Sequence, residues 1–557
     1  MRALPSSRRC APLLLWAALA TGTATGPAPC ARADGVDAVE ASYRASLKRP
    51  SLYKRMQGRV LLARTGELRA LGMLVDDYVK AEEPKDVVRA LIATLAAENL
   101  AGQAEMRGVW ARWRERAREP GDAWLWYRSM PVDRVLGGDA AVVAAKDAAL
   151  PTALRAAALR ALGSMSDPDA PGVVAAVLDA LPTAEPARGA LLEACAASAT
   201  GWSAALKDEA TRAVVERIAR TLDDAALSVD TKDVVARALA RLFGTDTLGP
   251  GAAPWLRELS AAAVREDGAE RPEVQYAPGP FFGLRATGRR VVYVIDASDS
   301  MLEPLKEDEL KKLRVVTPSD DRPADPKKPK KDLPEPLPWQ RIKNRFDAAR
   351  EVLKLAVRSL PPDKFVCVVL FGDDAKPLVA TPHLVPADPK TVAAVAAELD
   401  RIKPSPAPGD KARPYGSLRG ATNLHGGLRL AFRVTTAGKL GPGEYVDLSR
   451  TGCDAVYLLS DGNPTTDDFR KVDKRDEEQA VKDRESMTPI APPPELTFQG
   501  PYGARTFENF DFLTDDVRRL NLLRQAEIHC VALGDVDDSL LAGLAEIGGG
   551  QFRRLGD

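Results

Sequence analysis

The sequence predicts a chain of two parts: an all-α region of paired helices, then an α/β domain whose mostly parallel, Rossmann-like sheet has helices on both faces. Its length is the first reason, because 557 residues are too many for one hydrophobic core. The second is a change near residue 263, from alanine- and leucine-rich helical patterns to apolar strands that alternate with helices. The chain has no formal net charge, so it lacks the basic excess typical of nucleic-acid or membrane-surface binding.

Residues 1–33 have the pattern of a secretory signal peptide. Three early arginines precede the apolar run APLLLWAALA, and Ala31-Arg32-Ala33 offers a small-residue cleavage site. The apolar run is shorter than the roughly 20 residues that a transmembrane helix needs, so no membrane span is expected. We therefore expect a mature chain that begins at Asp34 and lies outside the cytoplasm, either periplasmic or secreted.

Residues 36–262 carry repeated amphipathic helical patterns. The clearest unit, LRAAALRALGSMSDPDAPGVVAAVLDAL at 154–181, has two apolar stripes separated by Asp167-Pro168. Helices of this length bury their apolar faces by stacking on neighbours. The unit resembles a HEAT repeat, which implies a solenoid, and an irregular helical bundle is the alternative. Four tryptophans of this region are expected in its core: Trp110, Trp113, Trp124 and Trp126.

Residues 263–287 are predicted as a linker, and the α/β pattern occupies residues 288–557. The apolar segments VVYVID, KFVCVVLF, DAVYLLS and EIHCVALG predict buried strands, with amphipathic helices between them and a last short strand near 551–554. Cys367 and Cys530 lie in these strands and are expected to be buried thiols. Two insertions leave strand ends, at 302–340 and 464–510. The first carries KKPKK and many prolines, which predicts an extended or disordered segment.

Oxygen-bearing side chains follow two of the predicted strands. Asp296, Ser298 and Ser300 come just past the first strand, in solvent-facing loop territory, and Asp461 follows a later core strand. Thr422 directly precedes a predicted helix. In open parallel sheets, ligands bind beyond the carboxyl ends of the strands. Carboxylates and hydroxyls suit a hard divalent cation such as Mg²⁺ and suit zinc or copper poorly, so we predict a divalent metal site.

The motif Asp296-x-Ser298-x-Ser300, with Thr422 and Asp461, resembles the metal-ion-dependent adhesion site of the von Willebrand factor type A domain. The tail HCVALGDVDDSLLAGLAEIGGGQF resembles the last strand, helix and strand of that domain. The resemblance implies that both serines bind the metal directly and that Thr422 binds it directly or through water. It implies that the two aspartates hold the metal or its waters. The implied cofactor is Mg²⁺, or else Mn²⁺ or Ca²⁺, and the implied partner is a protein that presents an Asp or Glu.

The sequence has no recognisable enzyme motif, since HExxH, GxSxG and GxxxxGK[ST] are all missing. His529 is expected in a core strand, His425 at a surface helix start and His383 in a loop. Asp299 stands where the resembled family usually has glycine, which predicts either a strained loop or extra charge. We therefore expect a non-catalytic, exported protein-binding protein. The alternatives are a scaffold that binds through the helical region and a subunit of a larger machine.

Overall fold

The computed structural model describes residues 35–82, 84–100, 102, 104–245, 248–264, 279–316, 337–402, 420–438, 451–469, 511–534, 536 and 538–555. In these ranges an all-α region precedes a seven-stranded, mostly parallel sheet that has a hydrophobic core on each face. The predicted fold class is therefore confirmed. Within the same ranges, every helix is too short or too polar to span a lipid bilayer.

The helical region contains thirteen α-helices in its described residues, and one hydrophobic core runs through them. In chain order, α1 to α13 are Val36–Leu47, Leu52–Arg64, Leu68–Val79, Lys85–Asn99, Met106–Arg116, Ala123–Val135, Ala140–Lys146, Thr152–Ser164, Ala170–Asp179, Ala187–Ala199, Glu209–Arg220, Val229–Phe243 and Ala252–Val264.

Packing in this region follows a repeating pattern. Helix α8 packs against both α6 and α10, which are its neighbours two helices away along the chain. This series is consistent with helical repeats, in which each helix pair buries its apolar face on the next pair. The unit predicted at 154–181 corresponds to α8 and α9. In the turn between them Asp167 is buried, and Arg134 of α6 binds it at 2.8 Å. The four tryptophans predicted in the core are all buried.

The α/β part contains the sheet and six further helices in its described residues. Its strands β1 to β7 are Arg290–Asp296, Phe365–Phe371, Ala375–Pro377, Val385–Pro386, Ala455–Ser460, Glu527–Leu533 and Phe552–Leu555. Its helices α14 to α19 are Glu307–Val316, Arg345–Arg358, Pro389–Arg401, Leu424–Arg433, Asp511–Asn521 and Asp538–Gly548.

Strand β1 lies at the centre of the sheet, whose order is β3-β2-β1-β5-β6-β7, with β4 also paired to β2. Strands β1, β2, β5, β6 and β7 are parallel, whereas β3 and β4 run antiparallel to β2. After β1 the chain forms β2 on one side of β1, and it later forms β5 on the other side of β1. The strand order therefore reverses between β1 and β5, which places the expected ligand crevice at their carboxyl ends.

The structure differs from the predicted elements in the first insertion. Helix α14 lies inside residues 302–340, where the sequence predicts an extended or disordered segment. Leu313 is buried and Glu309 accepts hydrogen bonds from two backbone N–H groups, so tertiary contacts hold this helix in place. Residues 317–336 of the insertion, and residues 470–510 of the second one, lie outside the described residues.

Four further elements differ from the prediction. The amphipathic segment RIKNRFDAAREVLKLAVRSL predicts a helix from Arg341, but α15 begins at Arg345, because the Asn344 side chain accepts a hydrogen bond from the Asp347 N–H and caps the helix. The short edge strands β3 and β4 and helix α18 are absent from the prediction. Cys367 and Cys530 are buried free thiols, as expected, and within the described ranges Cys195 and Cys453 are buried and free as well.

The two parts of the chain share an interface. Arg290, the first residue of β1, binds Asp230 of α12 at 2.9 Å. In the described start of the second insertion, Phe469 is buried and belongs to the hydrophobic core of the helical region. Two residues earlier, Asp467 accepts a hydrogen bond from the Tyr53 hydroxyl of α2. The segment that follows Asp461 is therefore anchored in the helical region.

Candidate metal centre

Asp296 is the last residue of β1, and its side chain is positioned from two directions. The Ser298 N–H donates to Oδ1 at 2.9 Å, and the Ser460 hydroxyl, at the end of neighbouring β5, donates to Oδ2 at 2.6 Å. Asp296 is fully buried, which corrects the expectation that it faces solvent. The reason is its place on the central strand, between Phe371 of β2, with which it pairs, and Ser460 of β5, which donates to its carboxylate.

The two serines and Asp461 form a hydrogen-bonded chain beside Asp296. The hydroxyls of Ser298 and Ser300 lie 3.1 Å apart, and Ser300 donates to Asp461 Oδ1 at 2.7 Å. Ser298 is extended, and a short 3₁₀ turn at 299–302 follows it and directs the chain away from the sheet. The structure thus brings together four of the five predicted site residues through direct hydrogen bonds.

Thr422 belongs to a loop that is fixed on both sides. Its N–H donates to the Thr465 hydroxyl at 2.8 Å, and the Thr465 N–H donates to the Thr422 carbonyl at 3.0 Å. On the other side, the Gly420 N–H donates to Asp299 Oδ1 at 2.8 Å. Asp299 has no positive φ, so the predicted backbone strain is absent. Its carboxylate, through the hydrogen bond from Gly420, instead links the Ser298–Ser300 loop to the Thr422 loop.

Gly462 marks the space between these loops. A Cβ added there would lie 3.6 Å from the Ser300 Oγ and 3.9 Å from the Thr422 Oγ1. The absent side chain therefore leaves room between two hydroxyls that come from separate loops. Nearby donors are carboxylate and hydroxyl oxygens alone, a set that fits Mg²⁺, Mn²⁺ or Ca²⁺. Within the described ranges no group of three or more His, Cys, Asp or Glu is placed to hold a metal, so a cation bound here would also need hydroxyl ligands.

Burial disfavours the charged forms of the two carboxylates. Burial raises the pKa of Asp296 to about 7, and the charge of Asp461 adds to this rise, while hydrogen bonds from Ser298 and Ser460 oppose it. Burial also raises the pKa of Asp461, against hydrogen bonds from Ser300 and Arg345. A divalent cation between the two side chains would favour their charged forms.

One charged residue at the site was missed by the sequence analysis. The Arg345 guanidinium is buried, and its Nη1 lies 3.0 Å from Asp461 Oδ2 and 2.8 Å from Glu303 Oε2. Arg345 stands at the first turn of α15, where an arginine usually faces solvent. Its approach to Asp461 depends on how α15 packs on the sheet, so no local pattern indicates it.

The sequence predicted that His425 lies at the surface, and the structure contradicts this prediction. His425 is fully buried, and its Nε2 lies 2.8 Å from Asp516 Oδ2 on α18, a helix that the sequence did not predict. Burial alone would raise the pKa of Asp516, but the charge of Arg519 and the His425 hydrogen bond hold it well below its usual range. His529 is buried in β6, as expected.

Comparison with known proteins supports the fold of the α/β part. Residues 340–483 and 509–553 match the family model of the von Willebrand factor type A domain. A series of helices consistent with helical repeats precedes this matched part. The match includes Thr422 and Asp461 but begins after Asp296, Ser298 and Ser300. Strand β1, which ends at Asp296, nevertheless pairs with β2 and β5 of the matched part. No curated protein matches the chain.

Proposed function

We propose that this protein is an exported, non-catalytic protein-binding protein that holds a carboxylate of its partner through a divalent cation. A von Willebrand factor type A domain suggests protein–protein interaction, often metal-dependent. The observation that carries the proposal is the convergence of three separated motifs on one space, through the Ser300–Asp461 hydrogen bond and the gap at Gly462.

Each residue has a distinct role in the proposed site. Ser298 and Ser300 would bind the cation directly, and Asp296 and Asp461 would hold it or its waters. Thr422 would join it directly or through water. When bound, the cation supplies a positive centre that attracts a carboxylate oxygen. Mg²⁺ is the first candidate, with Mn²⁺ and Ca²⁺ as alternatives for the same oxygen donors.

The charges around the site favour an acidic partner. Two aspartates formally balance a divalent cation, but any that hold it through water leave its charge partly uncompensated. An Asp or Glu of the partner would supply a further negative oxygen. Charge-assisted contacts of this kind are stronger than contacts between neutral groups.

The surroundings of the site also favour binding over catalysis. Metal-assisted hydrolysis needs a general base beside the ion, and the carboxylate of the candidate acid, Asp299, accepts the Gly420 N–H. His425 is buried against Asp516 and His529 lies in a core strand, so neither side chain is free at the surface. Export, as the signal-like residues 1–33 suggest, would place the site among partners outside the cytoplasm.

Calorimetric titration of the full chain with Mg²⁺ and Mn²⁺ tests the metal. Wild type is expected to bind one ion, and Asp296→Ala is expected to bind none while keeping its circular dichroism spectrum. Capture of partners from extracts of the cell envelope, in Mg²⁺ and in chelator, then tests the function. Equal metal affinity in wild type and Asp296→Ala would refute the site, and partner binding that survives the chelator would favour the helical region as the binding surface.

A further inference from the structure

Arg345 contacts three carboxylates, and one of them belongs to the proposed metal site. Its Nη1 lies 3.0 Å from Asp461 Oδ2 and 2.8 Å from Glu303 Oε2, and its Nε lies 3.8 Å from Glu309 Oε1. The side chains of Arg345 and Glu309 are almost fully buried, whereas that of Glu303 is 61% exposed. One nitrogen thus joins a buried metal ligand to an exposed acid outside the site.

The position of the guanidinium is defined by its surroundings. A Cβ at Gly534, which has a positive φ of 64°, would lie 2.5 Å from the Arg345 Cζ, so only glycine leaves room for this side chain. The Gly534 N–H donates to Glu309 Oε1, which keeps that carboxylate beside the arginine. The Arg345 side chain therefore lies in a pocket that fits it. Because Nη1 already contacts both Asp461 and Glu303, a small shift of the guanidinium is enough to change which carboxylate it pairs with.

We propose that Arg345 is an internal counter-cation that neutralises Asp461 in the metal-free protein and is passed to Glu303 when a divalent cation binds. The inference rests on the proposed metal site and concerns how its affinity is set. A divalent cation and a guanidinium repel each other and compete for the same Asp461 carboxylate. Glu303 already contacts the same Nη1. It would therefore pair with the arginine when Asp461 binds the metal.

This arrangement also gives the first insertion a role. Glu303 and Glu309 both lie in the described part of residues 302–340, before and within α14. The Arg345 N–H donates to the Glu303 carbonyl at 3.1 Å, so the backbone of the insertion is joined to the same residue. The start of the insertion would therefore influence metal affinity through Arg345.

The first test compares Mg²⁺ affinity by calorimetry in the full chain. Arg345→Gln removes the competitor and is expected to bind Mg²⁺ about tenfold more tightly, because the repulsion between the guanidinium and the divalent cation is gone. Glu303→Gln removes the alternative partner and is expected to bind several-fold more weakly. Arg350→Gln, on the same helix, loses ion pairs to Asp347 and Glu351 and is expected to match wild type.

Two further variants distinguish transfer of Arg345 to Glu303 from a simple attraction between the Glu303 charge and the cation. Glu303→Asp keeps the charge but shortens the reach to Arg345, so transfer predicts weaker Mg²⁺ binding and simple attraction predicts wild-type affinity. In the double variant Arg345→Gln/Glu303→Gln, transfer predicts that the Glu303 substitution no longer has an effect. An equal Glu303→Gln effect with and without Arg345, or wild-type affinity in Glu303→Asp, would overturn the proposal.

Failure of this inference differs from failure of the metal site. If wild type binds Mg²⁺ and Arg345→Gln binds it equally well, the counter-cation role is wrong and the metal site stands. If wild type, Arg345→Gln and Glu303→Asp all fail to bind Mg²⁺ and Mn²⁺, both are wrong. The Glu303 variants keep the test decisive even if Arg345→Gln does not fold, because the Glu303 side chain is largely exposed.

Discussion

The Ser300 hydroxyl donates to Asp461 Oδ1 at 2.7 Å although 161 positions separate the two residues. They meet because β1 and β5 are parallel neighbours, so the segments that leave their carboxyl ends lie side by side. The same pairing brings the Ser460 hydroxyl to Asp296. The site is thus a product of strand order, and its contacts give specific expectations for experiment.

Asp296→Asn is expected to stabilise the metal-free protein at pH 8 by about 2 kcal/mol, since the neutral side chain avoids a buried charge. Folding raises the pKa of Asp296 to about 7. The protonated side chain therefore contributes its full stability below the unfolded pKa near 4. This contribution is lost as the pH rises through about 7. Asparagine retains this stability at every pH.

Thermal melting in chelator, at several values between pH 5 and pH 8, measures the difference between the two proteins. The advantage of the asparagine variant is expected to shrink as the pH falls from 8 to 5. Wild type is expected to overtake it when Mg²⁺ is added at pH 8. A constant difference across this pH range would show that Asp296 is charged throughout.

Thr422→Ala is expected to weaken partner binding by about 1–3 kcal/mol while changing Mg²⁺ affinity less. Thr422 comes from a different loop than the two serines, and an oxygen that joins the cation only with the partner bound shifts only that equilibrium. Affinity for a partner captured in Mg²⁺ would be measured for wild type, Thr422→Ala and Thr422→Ser. The serine variant keeps a hydroxyl and should stay near wild type; an equal loss in metal and partner binding by the alanine variant would contradict the prediction.

Phe469→Ala is expected to lower the free energy of unfolding by about 3–5 kcal/mol, the usual range for truncating a buried phenylalanine. Phe469 is buried in the core of the helical region, and the Arg429 guanidinium lies 4.6 Å from its ring centre. Urea denaturation measures the loss, and Val379→Ala, at a position 76% exposed, is the matched control. A loss no larger than that of the control would mean that this contact between the two parts contributes little.

Asp516→Asn is expected to destabilise the protein by about 3 kcal/mol, because it removes the carboxylate that lies 2.7 Å from the buried Arg519, whereas Asp86 lies farther away at 3.7 Å. Folding lowers the pKa of Asp516, so the stability it contributes is complete above its ordinary pKa near 4 and is lost as the pH falls. Unfolding by urea at pH 7 and pH 3 would measure both effects. If the two proteins lost equal stability between these pH values, Asp516 would not be the titrating group.

Export predicts that the mature chain begins at Asp34 and is found outside the cytoplasm. Cell fractionation followed by N-terminal sequencing checks both statements. A variant with Ala31 and Ala33 changed to Arg should retain its first residues, because signal peptidase needs small residues at these positions. Cytosolic protein that still begins at Met1 would rule out cleavage.

The spacing of apolar residues along the sequence predicted most of the strands and helices. The strands β1, β2, β5 and β6 are mostly apolar, and each is buried along nearly its whole length. Helix α14 and the edge strands β3 and β4 were missed because they are short and lack a strong apolar pattern. What fixes α14 is the contact of Glu309 with Gly534, 225 positions away along the chain.

The sequence by itself determined the order of buried strands and amphipathic helices, the two-part organisation of the chain and the set of oxygen donors Asp296, Ser298, Ser300, Thr422 and Asp461. These features depend on local chemistry, because an apolar run or a motif is complete within a few residues. Only the tertiary structure decided that Asp296 is fully buried, that His425 pairs with Asp516 and that Arg345 contacts Asp461. Such contacts join residues from distant elements, and they depend on which helix packs against which face of the sheet.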